Sequence, residues 1–300
     1  MTTKKPAVSI GMPVFNGEAF IEQALGSLVA QTFREFEVIV SDNASDDKTV
    51  EICQAFSDEY DFIKVFRNDK NRGVSWNFNN TFNLSCGKYF MWLSHDDVLH
   101  ERYIERCIEA IEARKDTRIV YSKIQVINAD GDAIPFDKEL KDLDDDDIAV
   151  RFRHCMSPQP YNQSVIYGLM RRADLAKTTL YGDFVAADRC LVAQLALRGK
   201  FYQIPEYLFY RREHAQNFRG DSENLRAHMP ETMKWFAFPE WNVLRQHVRT
   251  VRTFPAPISV KSRLYYEIVR WSIFRGKKLG SEVLINIRQL LLVVARRIRK

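Results

Sequence analysis

The sequence predicts an α/β fold, with a mostly parallel central sheet, flanking helices and a C-terminal helical extension. Two observations carry this for the first two-thirds of the chain: several short apolar runs are unbroken, and they alternate with stretches of helical spacing. Strands that read as continuous apolar runs are covered by helices on both faces, and strand–helix alternation builds a doubly wound sheet. A third observation marks the extension: from about Ser222 the pattern is helical and basic. The expected division is residues 1–220 as one α/β domain and 221–300 as a basic, amphipathic helical extension.

Taken in order, Val8–Val14 is a continuous apolar run and the first strand. Residues 18–31 follow with helical spacing through Phe20, Ile21, Ala24, Leu25 and Leu28. Strands are expected at 36–40, 62–66 and 89–93, with a helix at 47–56 and a helical stretch after Gly73. A helix at 103–113, a strand at 118–127 and a turn through Asn128-Ala129-Asp130-Gly131-Asp132 come next. The acidic run 142–147 reads as a solvated loop or helix start. Residues 163–170 read as another strand, 188–198 as a helix and 201–211 as closing extended segments.

A chain of 300 residues with 46% hydrophobic content can bury a substantial core. Its five cysteines are scattered without a C-x-x-C pair, which argues against a disulfide framework or structural zinc and suits a reducing cytosol. The first six residues carry no signal-peptide pattern, so cytosolic synthesis without export is the expectation. The net charge of +5 hides an asymmetry. Lys and Arg number 28 against 33 acids through residue 220, then 16 against 6. A basic tail on a mildly acidic body points to a polyanionic partner.

In open α/β sheets ligands bind beyond the carboxyl ends of the strands. The strongest signal there is Ser94-His95-Asp96-Asp97, directly after the fourth strand. Adjacent carboxylates repel unless a cation or solvent compensates, and a hard divalent cation bridging carboxylate and diphosphate oxygens does so. Such an ion neutralises charge on a departing nucleoside diphosphate. The alternative is that the acids cap the following helix. Asp42 ends the second strand, placed for a nucleobase or ribose, with helix N-capping as its alternative. Pro13-Val14-Phe15-Asn16-Gly17 ends the first strand in a turn that brings backbone close to a ligand. Neither G-x-G-x-x-G nor a P-loop occurs, against a dinucleotide cofactor or ATP hydrolysis.

Val8-Ser9-Ile10-Gly11-Met12-Pro13-Val14-Phe15-Asn16 and then Gln31-Thr32-Phe33 open a series of motifs. Residues 38–47, Asn71-Arg72-Gly73, Asn79, Gly87-Lys88-Tyr89 and Asp96-Asp97 continue it in order. The series resembles the family 2 glycosyltransferases of bacterial cell-surface polysaccharide type, over roughly residues 7–217. The resemblance implies a GT-A fold, a nucleotide-diphospho-sugar donor (a UDP-sugar by family habit) and inversion at the anomeric carbon. By position, Asp42 would bind the base, with Pro13, Val14, Phe15 and Asn16 lining that pocket and Arg72 beside base or diphosphate. Asp96 would face ribose or sugar, and Asp97 would hold Mn²⁺ or Mg²⁺.

Two positions depart from the family pattern. His95 stands where a further acid is frequent, leaving imidazole as a possible ligand. Ala187 stands where the family carries Glu before Asp, so Asp188 becomes the expected general base, with Asp183 as the fallback; an N-cap is the alternative for Asp188. In Tyr210-Arg211-Arg212-Glu213-His214, His214 would complete the metal shell or touch the diphosphate, and Arg211 or Arg212 would pair with phosphate. Residues 157–162 form a turn-rich loop suited to an acceptor wall.

The apolar part of residues 279–300 is too short and too charged to span a bilayer. An interfacial helix on an anionic leaflet fits it, helped by Trp235, Trp241, Tyr265, Tyr266 and Trp271 upstream. Its alternatives are a helical layer packed on the catalytic part and a homodimer contact. The full expectation is a cytoplasmic enzyme, peripheral on the inner face of the membrane, acting on a glycan or lipid-linked acceptor. Its rival is an inactive nucleotide-sugar-binding scaffold. No nucleic-acid motif is present, so nucleic acid is not an expected partner.

Overall fold

The computed structural model describes residues 5–135, 143–157, 163–214 and 238–298, with side chains excepted at 163–164 and 289–298. Among the described residues the strands form one sheet, ordered β3-β2-β1-β4-β8-β6-β9-β5 with β7 on β6. The first half is the expected alternation: β1 (Val8–Val14), α1 (Ile21–Val29), β2 (Phe36–Asp42), α2 (Thr49–Glu59), β3 (Ile63–Arg67), α3 (Val74–Leu84) and β4 (Tyr89–Trp92). Every residue of β1, β2 and β4 is buried, which is why these runs show no polar alternation. β3 is the edge, and its exposed Lys64 and Arg67 keep that edge wet.

β1 pairs in parallel with β2 and β4, and β2 with β3. Past β4 the sheet becomes mixed. β5 (Val98–Leu99), α4 (Tyr103–Ala113), β6 (Thr117–Ile127), β7 (Ala133–Ile134), α5 (Ile148–Met156), a 3₁₀ turn (Gln163–Tyr167), β8 (Leu169–Arg171), α6 (Arg172–Leu175), α7 (Ala187–Ala196) and β9 (Lys200–Arg212) follow. β8 joins β4 to β6 antiparallel to both, and β9 runs parallel to β6 with register shifts near Ser122 and Lys123. The strand expected over 163–170 is instead the 3₁₀ turn followed by short β8. Gly168 lies so close to β6 that a Cβ would fall 2.7 Å from the Val120 carbonyl oxygen. A short apolar run does not by itself distinguish strand from helix. The acidic run does start a helix: the Asp147 side chain caps α5 by accepting the Ala149 N–H at 2.8 Å.

Two cores flank the sheet. One packs α1 and α4 against β1, β2 and β4 through Leu25, Leu28, Ile104, Cys107 and Ile111. The other holds α5, α7 and the C-terminal helices α8 (Pro239–Thr253) and α9 (Ile258–Phe274), and α10 (Gly276–Ile298) packs on α8 and α9. Cys190 through Ala196 of α7 are all buried, so this helix has no wet face. Val243, Val251, Leu264, Ile268 and Trp271 belong to the same core as Phe152, Leu191 and Leu195. At about 1.5–3 kcal/mol for each large apolar side chain fully buried, the extension is bonded to α5 and α7 by a substantial apolar contact. The division expected at residue 220 lies outside the described residues.

Candidate active site

The loops after β1, β2 and β3 meet on the sheet's carboxyl edge, and polar side chains lock them together. The Asn16 N–H donates to Ser45 Oγ at 2.9 Å, and the Asp46 N–H returns a bond to Asn16 Oδ1 at 3.1 Å. The Gly17 N–H donates to Thr49 Oγ1 at 2.8 Å. Asn77 of α3 reaches under both strands, donating to the Ser41 carbonyl and accepting the Ser41 hydroxyl. Asn43 accepts the Arg72 N–H at 2.9 Å and donates to Asn71 Oδ1 at 2.8 Å. The described non-glycine residues with positive φ are Asn16, Ala44, Leu180 and Ala186. The first two lie in these loops and the others in the segment that leads into α7. Strained backbone of this kind is concentrated at functional sites.

Asp42 is wholly buried at the end of β2. Its Oδ2 accepts the Ser45 N–H at 3.1 Å and lies 3.7 Å from Arg67 Nε, while Oδ1 is buried with no partner. Helix capping does not occupy this carboxylate, since Asp47 accepts the Thr49 N–H at the start of α2. Pro13 and Val14 are buried within the strand end, so Phe15 and Asn16 are the exposed members of the expected pocket wall. Arg72 turns its guanidinium to Asp69 at 2.7 Å and over the Trp76 ring at 4.8 Å.

After β4, the Leu93 N–H still pairs with the Gly11 carbonyl, and the chain then turns through Ser94 to Asp97. The two adjacent acids have opposite surroundings. Asp97 is buried, and its Oδ1 accepts the Arg212 N–H at 2.9 Å. Burial and then the neighbouring Asp96 charge push its carboxyl well above the usual range. Asp96 also loses solvation, but His95, the Ser94 hydroxyl and His214 outweigh that and hold it below its ordinary value. Its Oδ2 meets His214 Nε2 at 3.1 Å. His95 lies against Gly17, where a Cβ would fall 2.6 Å from the imidazole Cδ2. Burial lowers the His95 pKa, against the pull of Asp96, and favours the neutral ring.

Arg212 organises this corner. It is almost fully buried and donates to the carbonyls of Asp96, Asn128 and Ala129 and to Gln23 Oε1. Its guanidinium also lies over Phe20, whose ring is 4.6 Å from that of His214. These bonds hold Arg212 within the fold. Arg211 pairs with Glu213.

Asp188 lies in the first turn of α7, past the left-handed Ala186 that serves as N-cap, so it is not itself the cap. Burial raises its carboxyl pKa, opposed by the Arg189 N–H and charge. Tyr167 is half-buried, and burial, then Asp97, Tyr181, Asp96 and Asp188, push its hydroxyl pKa up, so carboxylates of α7 and of the β4 loop act on one side chain. Asp183 is exposed. Sequence reading missed the tie between the two sides: Asn79 of α3 donates to the Tyr181 carbonyl and accepts the Tyr181 N–H, both at 2.9 Å. Ser75 adds a bond to the Gly182 carbonyl. Of the expected acceptor wall at residues 157–162, residues 158–162 lie outside the described residues.

No group of three or more His, Cys, Asp or Glu side chains placed to hold a metal occurs among the described residues. Asp96 Oδ2 and His214 Nε2 are a hard oxygen and an imidazole nitrogen on one spot. That pair fits a divalent cation whose remaining ligands are diphosphate oxygens and water. Asp97 faces the Arg212 backbone instead.

The profile described as Glycosyl transferase family 2 matches residues 9–171. An uncharacterized glycosyltransferase of Rickettsia typhi is 33% identical over 138 residues, 45% of this chain and 42% of that protein. Glycosyltransferase AglE of Haloferax volcanii is 33% identical over 113 residues, 37% of each. The matched region thus spans less than half the length of either relative. Among solved structures, Staphylococcus aureus TarS 1–349 in complex with UDP-GlcNAc superposes with a TM-score of 0.68 at 17% identity, covering 96% of this chain and 80% of that one. The mannosyltransferase PcManGT of Pyrobaculum calidifontis, in complex with GDP-Man and Mn²⁺, gives 0.60 at 13% identity, covering 99% and 81%. These likenesses place the fold in the GT-A class.

Proposed function

This chain belongs to glycosyl transferase family 2, and from that premise we propose that it transfers a sugar from a nucleoside diphosphate donor, of uridine type, to an acceptor hydroxyl with inversion. The observation that carries the reading is that three carboxylates in distinct states stand at the end of β2, in the loop after β4 and at the start of α7. Asp42 has a buried unpartnered oxygen, Asp96 is ionised beside His214, and Asp188 is raised at the start of α7. A carboxylate oxygen only accepts, so Asp42 suits a base that presents a ring N–H, as uracil does. TarS in complex with UDP-GlcNAc supports the uridine assignment.

Asp96 and His214 would hold Mn²⁺ or Mg²⁺, and the bound ion would supply charge neutralisation at the leaving diphosphate. The role expected of Asp97 passes to Asp96 in this proposal, because Asp97 is buried and bonded to the Arg212 backbone. Phe15 and Asn16 border the base, while Pro13 and Val14 shape that wall from within. Asp188 takes the proton of the attacking hydroxyl, and the burial that raises its pKa strengthens it as a base. Asn79 holds the segment before α7 against α3, which fixes Asp188 relative to the donor loops. The acceptor is a glycan or lipid-linked glycan, met where the basic C-terminal helices approach an anionic membrane from the cytoplasmic side. Among the described residues no helix is long and apolar enough to cross one.

The scaffold reading rests on Ala187 and His95 standing where the family carries acids. Hydrolysis of a panel of nucleotide sugars with Mn²⁺ separates the two. Transfer predicts slow nucleoside diphosphate release from one donor, with the freed sugar inverted and the rate reduced in Asp188→Asn. Donor binding without release in the presence of acceptor glycans would leave the scaffold.

A further inference from the structure

The C-terminal helices were expected to meet a membrane through their aromatics. The structure gives several of those residues other work. Trp271 is buried, with its indole N–H on the Met156 carbonyl at 2.8 Å, and Trp241 donates to the Leu279 carbonyl. Trp235 lies outside the described residues. Of the expected aromatics among the described residues Tyr266 is the most exposed, and it faces outward among aliphatic side chains.

α9 buries Leu264, Glu267, Ile268 and Trp271 against α5 and α8. Half a turn around the same helix, Ile258, Tyr266, Val269 and Ile273 recur at helical spacing and are 82, 62, 55 and 76% exposed, with Ser262 completing the row. A helix packed on one side places polar residues opposite, and this one places Ile, Tyr, Val and Ile there. Phe274, 70% exposed, extends the surface to the junction with α10. That junction is held by buried Arg275, which pairs with Glu240 of α8. α10 continues the pattern. Leu279, Glu282 and Asn286 face inward or are half-buried, and Lys277, Leu284 and Arg288 lie on the outer side with Ile285 and Ile287 beside them.

Cations rim this surface. Arg263 and Arg270 lie along one side of the α9 row, paired with Asp147 and Glu267 and with Arg270 5.8 Å over the Tyr266 ring, while Lys277, Lys278 and Arg288 are exposed on α10. Lys and Arg side chains can lie along apolar surface while their charges reach phosphate. Apolar side chains interleaved with cations on adjoining helices match a bilayer interface carrying anionic headgroups. The exposed Lys277, Lys278 and Arg288 make this surface complementary in charge to an anionic one.

Resting on the reading of the extension as a membrane contact, we propose that Ile258, Tyr266, Val269, Ile273, Phe274 and Leu284 form the face that inserts into an anionic phospholipid surface. The test is co-sedimentation of the full chain with phosphatidylcholine vesicles, with and without 30% phosphatidylglycerol. Ile258→Asp/Val269→Asp/Ile273→Asp and Lys277→Gln/Lys278→Gln are compared with the natural chain. These side chains are exposed, and circular dichroism melts report whether each variant folds. The natural chain is expected to sediment with anionic vesicles and not with neutral ones. The apolar variant should partition at least tenfold more weakly, and the lysine variant several-fold more weakly. A Tyr266→Trp chain should show a blue-shifted emission increment over the natural chain on anionic vesicles. Equal binding by the apolar variant would overturn this face while leaving membrane contact standing; no binding by the natural chain would overturn both. A dimer in velocity sedimentation that dissociates in the apolar variant would assign the face to a second copy. Donor hydrolysis without vesicles should be equal in all chains, so a failure of the transferase reading appears separately.

Discussion

The two sides of the proposed site are built differently. On the donor side, the loops after β1 and β2 are joined by short reciprocal bonds through Asn16, Ser45, Asn43 and Asn77, close to the strands that carry them. On the proposed acceptor side, Asp188 depends on packing: Cys190 through Ala196 of α7 are buried, its entry is left-handed at Ala186, and Asn79 secures that entry from another helix. Hydrogen-bonded loops give a rigid recognition surface for one part of a ligand. A buried helix start, by contrast, makes a carboxylate sensitive to everything packed behind it. Substitutions on the donor side should therefore show mainly in binding, and those around α7 mainly in turnover.

The largest separation is expected for Asp188→Asn, with turnover falling about 10²–10⁴-fold in steady-state transfer and donor affinity nearly unchanged. An equal loss in both would break the contrast. Arg212→Met should lower unfolding free energy by about 3–5 kcal/mol in urea titrations, since it leaves several carbonyls and the Asp97 corner without their buried cation. A change below about 1 kcal/mol would deny Arg212 its central position. Asp42→Asn should weaken donor binding about 10–100-fold by calorimetry, the size of one charged hydrogen bond, with much less effect on the turnover of saturated enzyme. Asn79→Ala should cost about 1–3 kcal/mol of stability and lower kcat more than it raises KM, because Tyr181 loses both bonds.

A smaller, pH-dependent effect sharpens the role of the layer behind α7. His247 of α8 is buried between Phe152 and Trp271 near Arg189, and burial, then that charge, push its pKa down to about 3. The unfolded state binds the extra proton between the ordinary histidine value of about 6.5 and the folded value. Stability is thus full above that range and falls as pH drops through it. Melting temperatures at pH 7 and pH 5 should differ more in the natural chain than in His247→Phe. Identical pH dependence would show that His247 does not titrate on unfolding.

The uneven legibility of the sequence follows the same contrast. β1, β2 and β4 could be read directly because burial on both faces writes an apolar run, and Asp42 and Asp96 because they sit at the ends of those runs. The division of labour within Asp96-Asp97 could not be read. It depends on Arg212 and His214, more than a hundred residues away, and identical neighbours in sequence acquire opposite surroundings only when β9 closes on the β4 loop. Asn79 was visible as part of a motif, but its partner Tyr181 lies 102 residues on. In the extension, helical spacing was evident while the choice of inward face was not: Trp271 and Tyr266 look alike in sequence, and α5 buries one and leaves the other exposed.

The central claim is that Asp96 with His214, and not Asp97, serves the diphosphate end of a nucleotide-sugar donor. Calorimetric titration of a UDP-sugar panel with and without Mn²⁺, into the natural chain, Asp96→Asn and Asp97→Asn, tests it most directly. Asp97→Asn keeps an acceptor for the Arg212 N–H. The expected result is Mn²⁺-enhanced binding of one donor that weakens at least tenfold in Asp96→Asn and stays within about threefold in Asp97→Asn. The reverse order, or no donor binding by the natural chain, would contradict the account.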